Sequence, residues 1–348
     1  MRTLGRFVCA LLALPAGLFL LFVLTGPGTW SGISYALGLF ALTIAGAARG
    51  RPWAKRLALG SAGALFATVL LRLATAARGD SLAMQTGAHG GARLVDRVLD
   101  EEDLSVSAAR TIRLTRFMGD PDVAVLPEKM SDAYGRMRAA QGDVPSPVVA
   151  TYLGEQGPAA DDEIEIGDVE SSDGVVVFLH GSAGSFTLPC WEVSLAAERA
   201  HMATVCPATR WTGDWWSAGG EATVRDVVNR LRARGAKHLI LAGLSNGGIG
   251  GSLLLPRFAG TFEGFVAISG AAPAAAAPGI PVLCVQGKYD TQVAASVVLA
   301  YAHRSSGTYV ELEAGHFALL VKEDEAVAAI ARWFEARMAP YRSATARR

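Results

Sequence analysis

The pentapeptide Gly243-Leu244-Ser245-Asn246-Gly247 is the stretch of this 348-residue chain whose residue types and spacing point most directly to chemistry. A serine hydroxyl is a poor nucleophile at neutral pH and needs a neighbouring base to take its proton. It must also be exposed. The G-x-S-x-G spacing meets that need by setting the serine on a sharp strand-to-helix turn, with glycines two residues away on either side so that the backbone packs closely. Chance alone supplies such a match in roughly one of four sequences of this glycine content, so the flanking elements decide. Residues 239–242 read as a strand and residues 247–255 as a helix start rich in small residues.

The elements around the pentapeptide alternate. Residues 148–153 and 163–166 read as strands. Residues 175–179, Val-Val-Val-Phe-Leu, form an unbroken apolar run suited to a strand buried on both faces of a parallel sheet. Helices are expected over 191–201, 221–234 and 323–338. Further strands are expected over 202–206, 265–269, 281–286 and 309–312. Such alternation specifies an α/β fold, a mostly parallel sheet with helices on both faces.

Residues 147–340 resemble the α/β-hydrolase family, through four features in the order that fold uses. Leu179-His180-Gly181-Ser182 is similar to the family's oxyanion loop after an early strand. Gly243 to Gly247 is similar to its nucleophile elbow. Gln286-Gly287-Lys288-Tyr289-Asp290 places an acid shortly after a late strand, and Gly315-His316-Phe317 places a histidine before a last helix. The resemblance implies a Ser245, Asp290, His316 triad. His316 takes the serine proton, and Asp290 orients the imidazole and stabilises its charged form. The backbone N–H groups of Asn246 and Ser182 are the implied oxyanion donors. The implied activity is hydrolysis of a carboxylic ester or related acyl bond in a small-molecule or lipid-like substrate, without a cofactor; the alternatives are a thioesterase, lipase or peptidase of the same fold, or a non-catalytic membrane scaffold.

Rival assignments are weaker. His180 reads as a brace for its own loop, and His89, His201, His238 and His303 as surface or helix-end residues. Glu311 and Glu313 compete with Asp290 for the acid but sit on the strand before the histidine. Ser182 and Ser185 lack the elbow context. Trp211, Trp215 and Trp216 follow a strand end on the same side of the sheet as Ser245, where they would line an acyl or alcohol pocket, pack their loop or touch a membrane surface. The Ala/Pro-rich segment between the strands at 265–269 and 281–286 is too short for a lid domain, so an open pocket is expected.

The excess apolar content, 51% overall, lies largely before residue 80. Residues 7–24, 30–48 and 57–77 each approach the length of about 20 residues needed to cross a bilayer. A cleaved signal peptide is the alternative for the first, but residues 24–28 make a poor cleavage site. Arg2 and Arg6 precede the first stretch, and Arg49, Arg51, Lys55 and Arg56 separate the second from the third. With those basic sides cytoplasmic, three spans leave the rest of the chain outside. Arg72, near the end of the third, would snorkel to the interface. The expected organisation is a membrane region over 1–78, a mostly helical connector without chemistry over 79–146, and a catalytic domain over 147–348.

Formal net charge is +0, which gives no electrostatic case for nucleic acid. The four cysteines form no C-x-x-C pair, which speaks against a structural zinc site. Cys9 and Cys284 fall in apolar runs. Cys190 and Cys206 are two buried thiols in a reducing compartment, or a disulfide if the domain lies outside. The acidic residues Asp161, Asp162, Glu163 and Glu165 read as a solvated turn and strand edge, since no calcium-loop spacing accompanies them.

Overall fold

The computed structural model describes residues 17, 20–24, 26, 28–87, 91–158, 160–183 and 186–345. Most of the first apolar stretch, with Cys9, falls outside these, as do His89 and Ser185. Among the described residues, eight strands form one sheet: β1 Leu82–Thr86, β2 Asp162–Ile166, β3 Gly174–Leu179, β4 Met202–Pro207, β5 Leu239–Leu244, β6 Gly264–Ile268, β7 Val282–Gly287 and β8 Thr308–Leu312. Their order is β1-β2-β4-β3-β5-β6-β7-β8. The β1–β2 and β2–β4 pairs are antiparallel, and every other pair is parallel.

The unbroken apolar runs are explained by burial on both faces. Val176, Phe178, Ile240, Ala242, Val266 and Ile268 face one core. Their alternates Val175, Val177, Leu179, Leu239, Leu241 and Phe265 face the other. The first core is closed by α4 (Leu126–Gln141), α6 (Thr187–Arg199) and α10 (Glu323–Thr345). The second is closed by α7 (Ala218–Ala233), α8 (Asn246–Leu254) and α9 (Ala295–Arg304). Cys190 on α6 and Cys206 on β4 are joined in a disulfide, while Cys284 is a buried free thiol.

Two sequence expectations fail here. Residues 148–153 form a helix, α5 (Val148–Leu153), despite their β-branched content. Ser146 Oγ accepts from Val148 N at its start, and Gly154, in the left-handed region at φ 76°, ends it. The acidic run is buried rather than solvated. Arg230 pairs with Asp161 and Glu163, Arg234 with Glu165, and Asp162 accepts from Thr86 Oγ1. The covering strand is β1, an addition to the sheet from a connector expected to be mostly helical.

The connector also holds two longer helices, α3 (Glu101–Thr115) and α4, the latter ended by Gly142. The Glu101 carboxylate at the start of α3 accepts from the backbone N–H groups of Phe186, Thr187 and Leu188, the first turn of α6. Such an anion satisfies donors that a helix start leaves without partners.

Two N-terminal helices, α1 (Trp30–Ala47) and α2 (Pro52–Thr75), are long and apolar enough to cross a membrane. Their most apolar windows are only 22% and 17% buried, unlike core helices of a soluble domain. Leu59 and Phe66, each 64% exposed, are among the apolar side chains left facing outward. Arg72 does not snorkel. It is fully buried, bonded to Asp143 and 3.6 Å from Asp100.

Candidate active site

The elbow is built by close backbone contact. Ser245 sits at φ 53° and ψ −116°, between the end of β5 and the first turn of α8. Left-handed backbone at a residue with a side chain is strained and persists only where the surroundings hold it. Ser245 N donates to Ile268 O at 2.8 Å, pinning the turn to the neighbouring strand. The flanking glycines are required by space. A Cβ on Gly243 would lie 2.3 Å from the backbone of Gly247, and one on Gly247 would lie 1.9 Å from Leu179 O.

The three expected residues meet. Ser245 Oγ and His316 Nε2 are 2.9 Å apart. His316 Nδ1 and Asp290 Oδ2 are also 2.9 Å apart. Asp290 Oδ1 accepts from Gln292 N at 2.8 Å and Val293 N at 2.9 Å, and Oδ2 also accepts from Gln286 Nε2 at 2.8 Å. Burial pushes the Asp290 carboxyl upward. The bond from His316, its charge and the two backbone N–H groups outweigh that and hold it below the usual carboxylate range. With Asp290 ionised and accepting from Nδ1–H, Nε2 carries the lone pair that faces the serine hydroxyl. Glu311 and Glu313 take no part. Glu313 binds Lys288 Nζ and Tyr289 OH, and Glu311 accepts from Tyr309 OH.

The loop after β3 lies against the serine. A Cβ on Gly181 would stand 3.2 Å from Ser245 Cβ. Asn246 Nδ2 donates to Ser182 Oγ at 2.6 Å and to Thr212 O at 2.8 Å, tying this loop, the loop after β4 and α8 together. Asn246 begins α8, where backbone N–H groups have no intrahelical acceptor. His180 is buried beneath, between Phe186 and Trp215. Its Nδ1 lies 2.7 Å from Gly181 O and its Nε2 accepts from Thr209 N. Burial lowers its pKa to about 4, so it is a neutral brace.

The tryptophans divide. Trp215 is fully buried and donates from Nε1 to His180 O, so it cannot line a pocket and instead supports the loop from below. Trp211 and Trp216 are 47% and 41% exposed. Trp211 stacks on Tyr152, with ring centroids 6.3 Å apart, beside the Thr212 carbonyl that Asn246 binds.

A sheet of this order, with the serine on a strained elbow after β5, the acid after β7 and the histidine after β8, decides the architecture. The chain has the α/β-hydrolase fold. No protein-family profile matches its sequence, and no curated protein sequence does. Among solved structures it is similar to Est1E from Butyrivibrio proteoclasticus, at 14% identity and a TM-score of 0.45, covering 52% of this chain and 95% of that one. It is similar to a phospholipase/carboxylesterase from Dyadobacter fermentans at 21% identity and a TM-score of 0.37, covering 43% and 85%. An alpha-beta serine hydrolase homologue from Coxiella burnetii matches at 16% identity and a TM-score of 0.41, covering 51% and 93%.

Sequence reasoning missed Asp120 and Asp122. Both lie in the connector, and both reach the loop that carries His316. Among the described residues, no group of three or more metal-ligating side chains comes together.

Proposed function

We propose that this α/β-hydrolase cleaves carboxylic ester or related acyl bonds, with Ser245 as nucleophile, His316 as base and Asp290 as acid. The observation that carries the reading is the continuous relay of 2.9 Å contacts from Ser245 through His316 to Asp290, on a strained elbow. Ser245 Oγ attacks the acyl carbon while its proton passes to His316 Nε2. Asp290 stabilises the imidazolium. The backbone N–H groups of Asn246 and Ser182 receive the developing oxyanion. His316 then gives its proton to the leaving alcohol, and water activated by the same histidine releases the acid from the acyl-enzyme. Trp211 and Trp216 flank the acyl or alcohol moiety.

The chain is further proposed to be anchored in a membrane by α1 and α2, with the hydrolase outside the cytoplasm. Arg49, Arg51, Lys55 and Arg56 surround the turn between these helices, and basic turns stay cytoplasmic. The end of α2 that leads into the sheet then faces the other side. The Cys190–Cys206 disulfide agrees with an oxidising compartment.

The test is labelling of the full chain by a fluorophosphonate probe. Labelled wild type and unlabelled Ser245→Ala support the nucleophile. Equal labelling of both refutes Ser245 as the nucleophile, whereas a wild type that neither labels nor hydrolyses short p-nitrophenyl esters points to a non-catalytic scaffold.

A further inference from the structure

Asp120 belongs to the turn between α3 and α4, far in sequence from the relay, yet its carboxylate holds two of the loops that form it. Oδ1 accepts from Thr291 N at 2.9 Å and from Thr291 Oγ1, at the residue that follows Asp290. Oδ2 accepts from His316 N at 2.8 Å. Three donors on two separate loops thus converge on one side chain that is 5% exposed. The fit is tight. A Cβ on Gly315 would lie 2.6 Å from Asp120 Cβ, so only a glycine before the histidine lets the carboxylate approach. Nearby, Asp122 Oδ2 accepts from Gly315 N at 2.6 Å.

Taking Ser245, His316 and Asp290 as the reacting set, we propose that Asp120 is a positioning residue that fixes the Asp290–His316 contact by clamping both backbones. Only an acceptor at both ends can do this. Both carboxylate oxygens of Asp120 face N–H or O–H donors, and an asparagine would turn its NH₂ group toward one of them. The donor left unbonded pushes its loop away. The imidazole is displaced from both partners at once, because the His316 backbone moves relative to Asp290 and Ser245 together. The connector is therefore part of the active site, not a spacer.

The experiment compares full-chain wild type, Asp120→Asn and Thr291→Val by kcat, KM and pH–rate profile on a short p-nitrophenyl ester, with thermal melting as a fold control. Misplacing a reacting group by about 1 Å costs on the order of 100-fold in rate, so Asp120→Asn should lose about that in kcat with KM little changed. Its acid limb should also move to lower pH, because a weakened Asp290 contact stabilises the imidazolium less. Loss of stability alone would not move that limb. Thr291→Val, at an exposed position, removes only the hydroxyl donor. It should lose about tenfold in kcat, with the limb displaced in the same direction. A folded Asp120→Asn with unchanged kcat and limb, or a loss confined to KM, overturns the proposal. If Asp120→Asn does not fold, Thr291→Val decides on the same two readings. A wild type that neither labels at Ser245 nor turns over ester overturns the nucleophile reading itself. That outcome is distinct from an active wild type with an unimpaired variant.

Discussion

Replacing Asp290 with asparagine tests the relay at the point where the local hydrogen bonds dictate the outcome. The side-chain amide could take two orientations, but Oδ1 of Asp290 accepts from two backbone donors, Gln292 N and Val293 N. An asparagine must therefore place its carbonyl oxygen there and its NH₂ group at the Oδ2 position. That position faces His316 Nδ1 at 2.9 Å. A donor at that point forces Nδ1 to accept, so the ring proton moves to Nε2, where it confronts the hydroxyl of Ser245. The base is then present in the wrong tautomer. Gln286 Nε2, which donates both to Oδ2 and to Val293 O, loses only the first of these acceptors, so the fold should survive with a modest loss of stability. A serine hydrolase with the wrong tautomer loses about 10⁴ in kcat, or about 5 kcal/mol of transition-state stabilisation. The assay is steady-state hydrolysis of a short p-nitrophenyl ester near pH 7, with a melting curve to show that the variant is folded. A folded Asp290→Asn within about tenfold of wild-type turnover would refute the tautomer argument.

Two further predictions concern the domain around the site. Glu192 on α6 is 2% exposed, its Oε1 has no hydrogen-bond partner among the described residues, and burial beside Glu323 raises its pKa well above the usual 4.5. A carboxyl raised on folding contributes stability that is complete below pH 4.5 and lost as pH climbs through the folded value, so Glu192→Gln should lessen the fall in melting temperature between pH 5 and pH 9. Each 1 kcal/mol relieved is worth about 3 °C, and identical slopes for the two proteins would exclude the effect. The Cys190–Cys206 disulfide should appear as a linked peptide pair in a non-reducing digest of protein made in its native membrane. Free thiols there, together with a C-terminal reporter active only in the cytoplasm, would reverse the proposed orientation.

The relay was legible in the sequence because its signals are local. A glycine two residues from Ser245 on each side, an acid after one strand and a histidine after the next are patterns of spacing. The unbroken runs of β3 and β5 were legible for the same reason, since burial on both faces leaves no room for polar residues. What stayed hidden depends on distant partners. Asp120 is an ordinary acidic residue before a proline, and its importance lies in the N–H of His316, 196 positions away. Glu101 is one of three consecutive acids at the start of α3, and the N–H groups it accepts from belong to Phe186, Thr187 and Leu188, 85 to 87 positions on. The segment at 148–153 shows tertiary context and end caps overriding a β-branched composition. Trp215 looked like its neighbours Trp211 and Trp216, and only burial separates a prop from a wall. The run at 161–165 looked solvated because Arg230 and Arg234, which neutralise it, come from another helix.

The passage from α2 into the sheet is short. Thr75 ends the helix and Leu82 begins β1, and on the way Ala77 N binds Asp143 O and Gly79 N binds Leu82 O. In the anchored reading, the hydrolase is thus held on a stiff stub rather than on a leash. It would sweep no volume of solution and would sample a thin layer next to the bilayer. For an ester dissolved in that bilayer, the quantity governing turnover is its mole fraction in the surface, not its concentration in the bulk. Adding inert lipid or detergent at fixed substrate should then slow the enzyme by dilution in two dimensions.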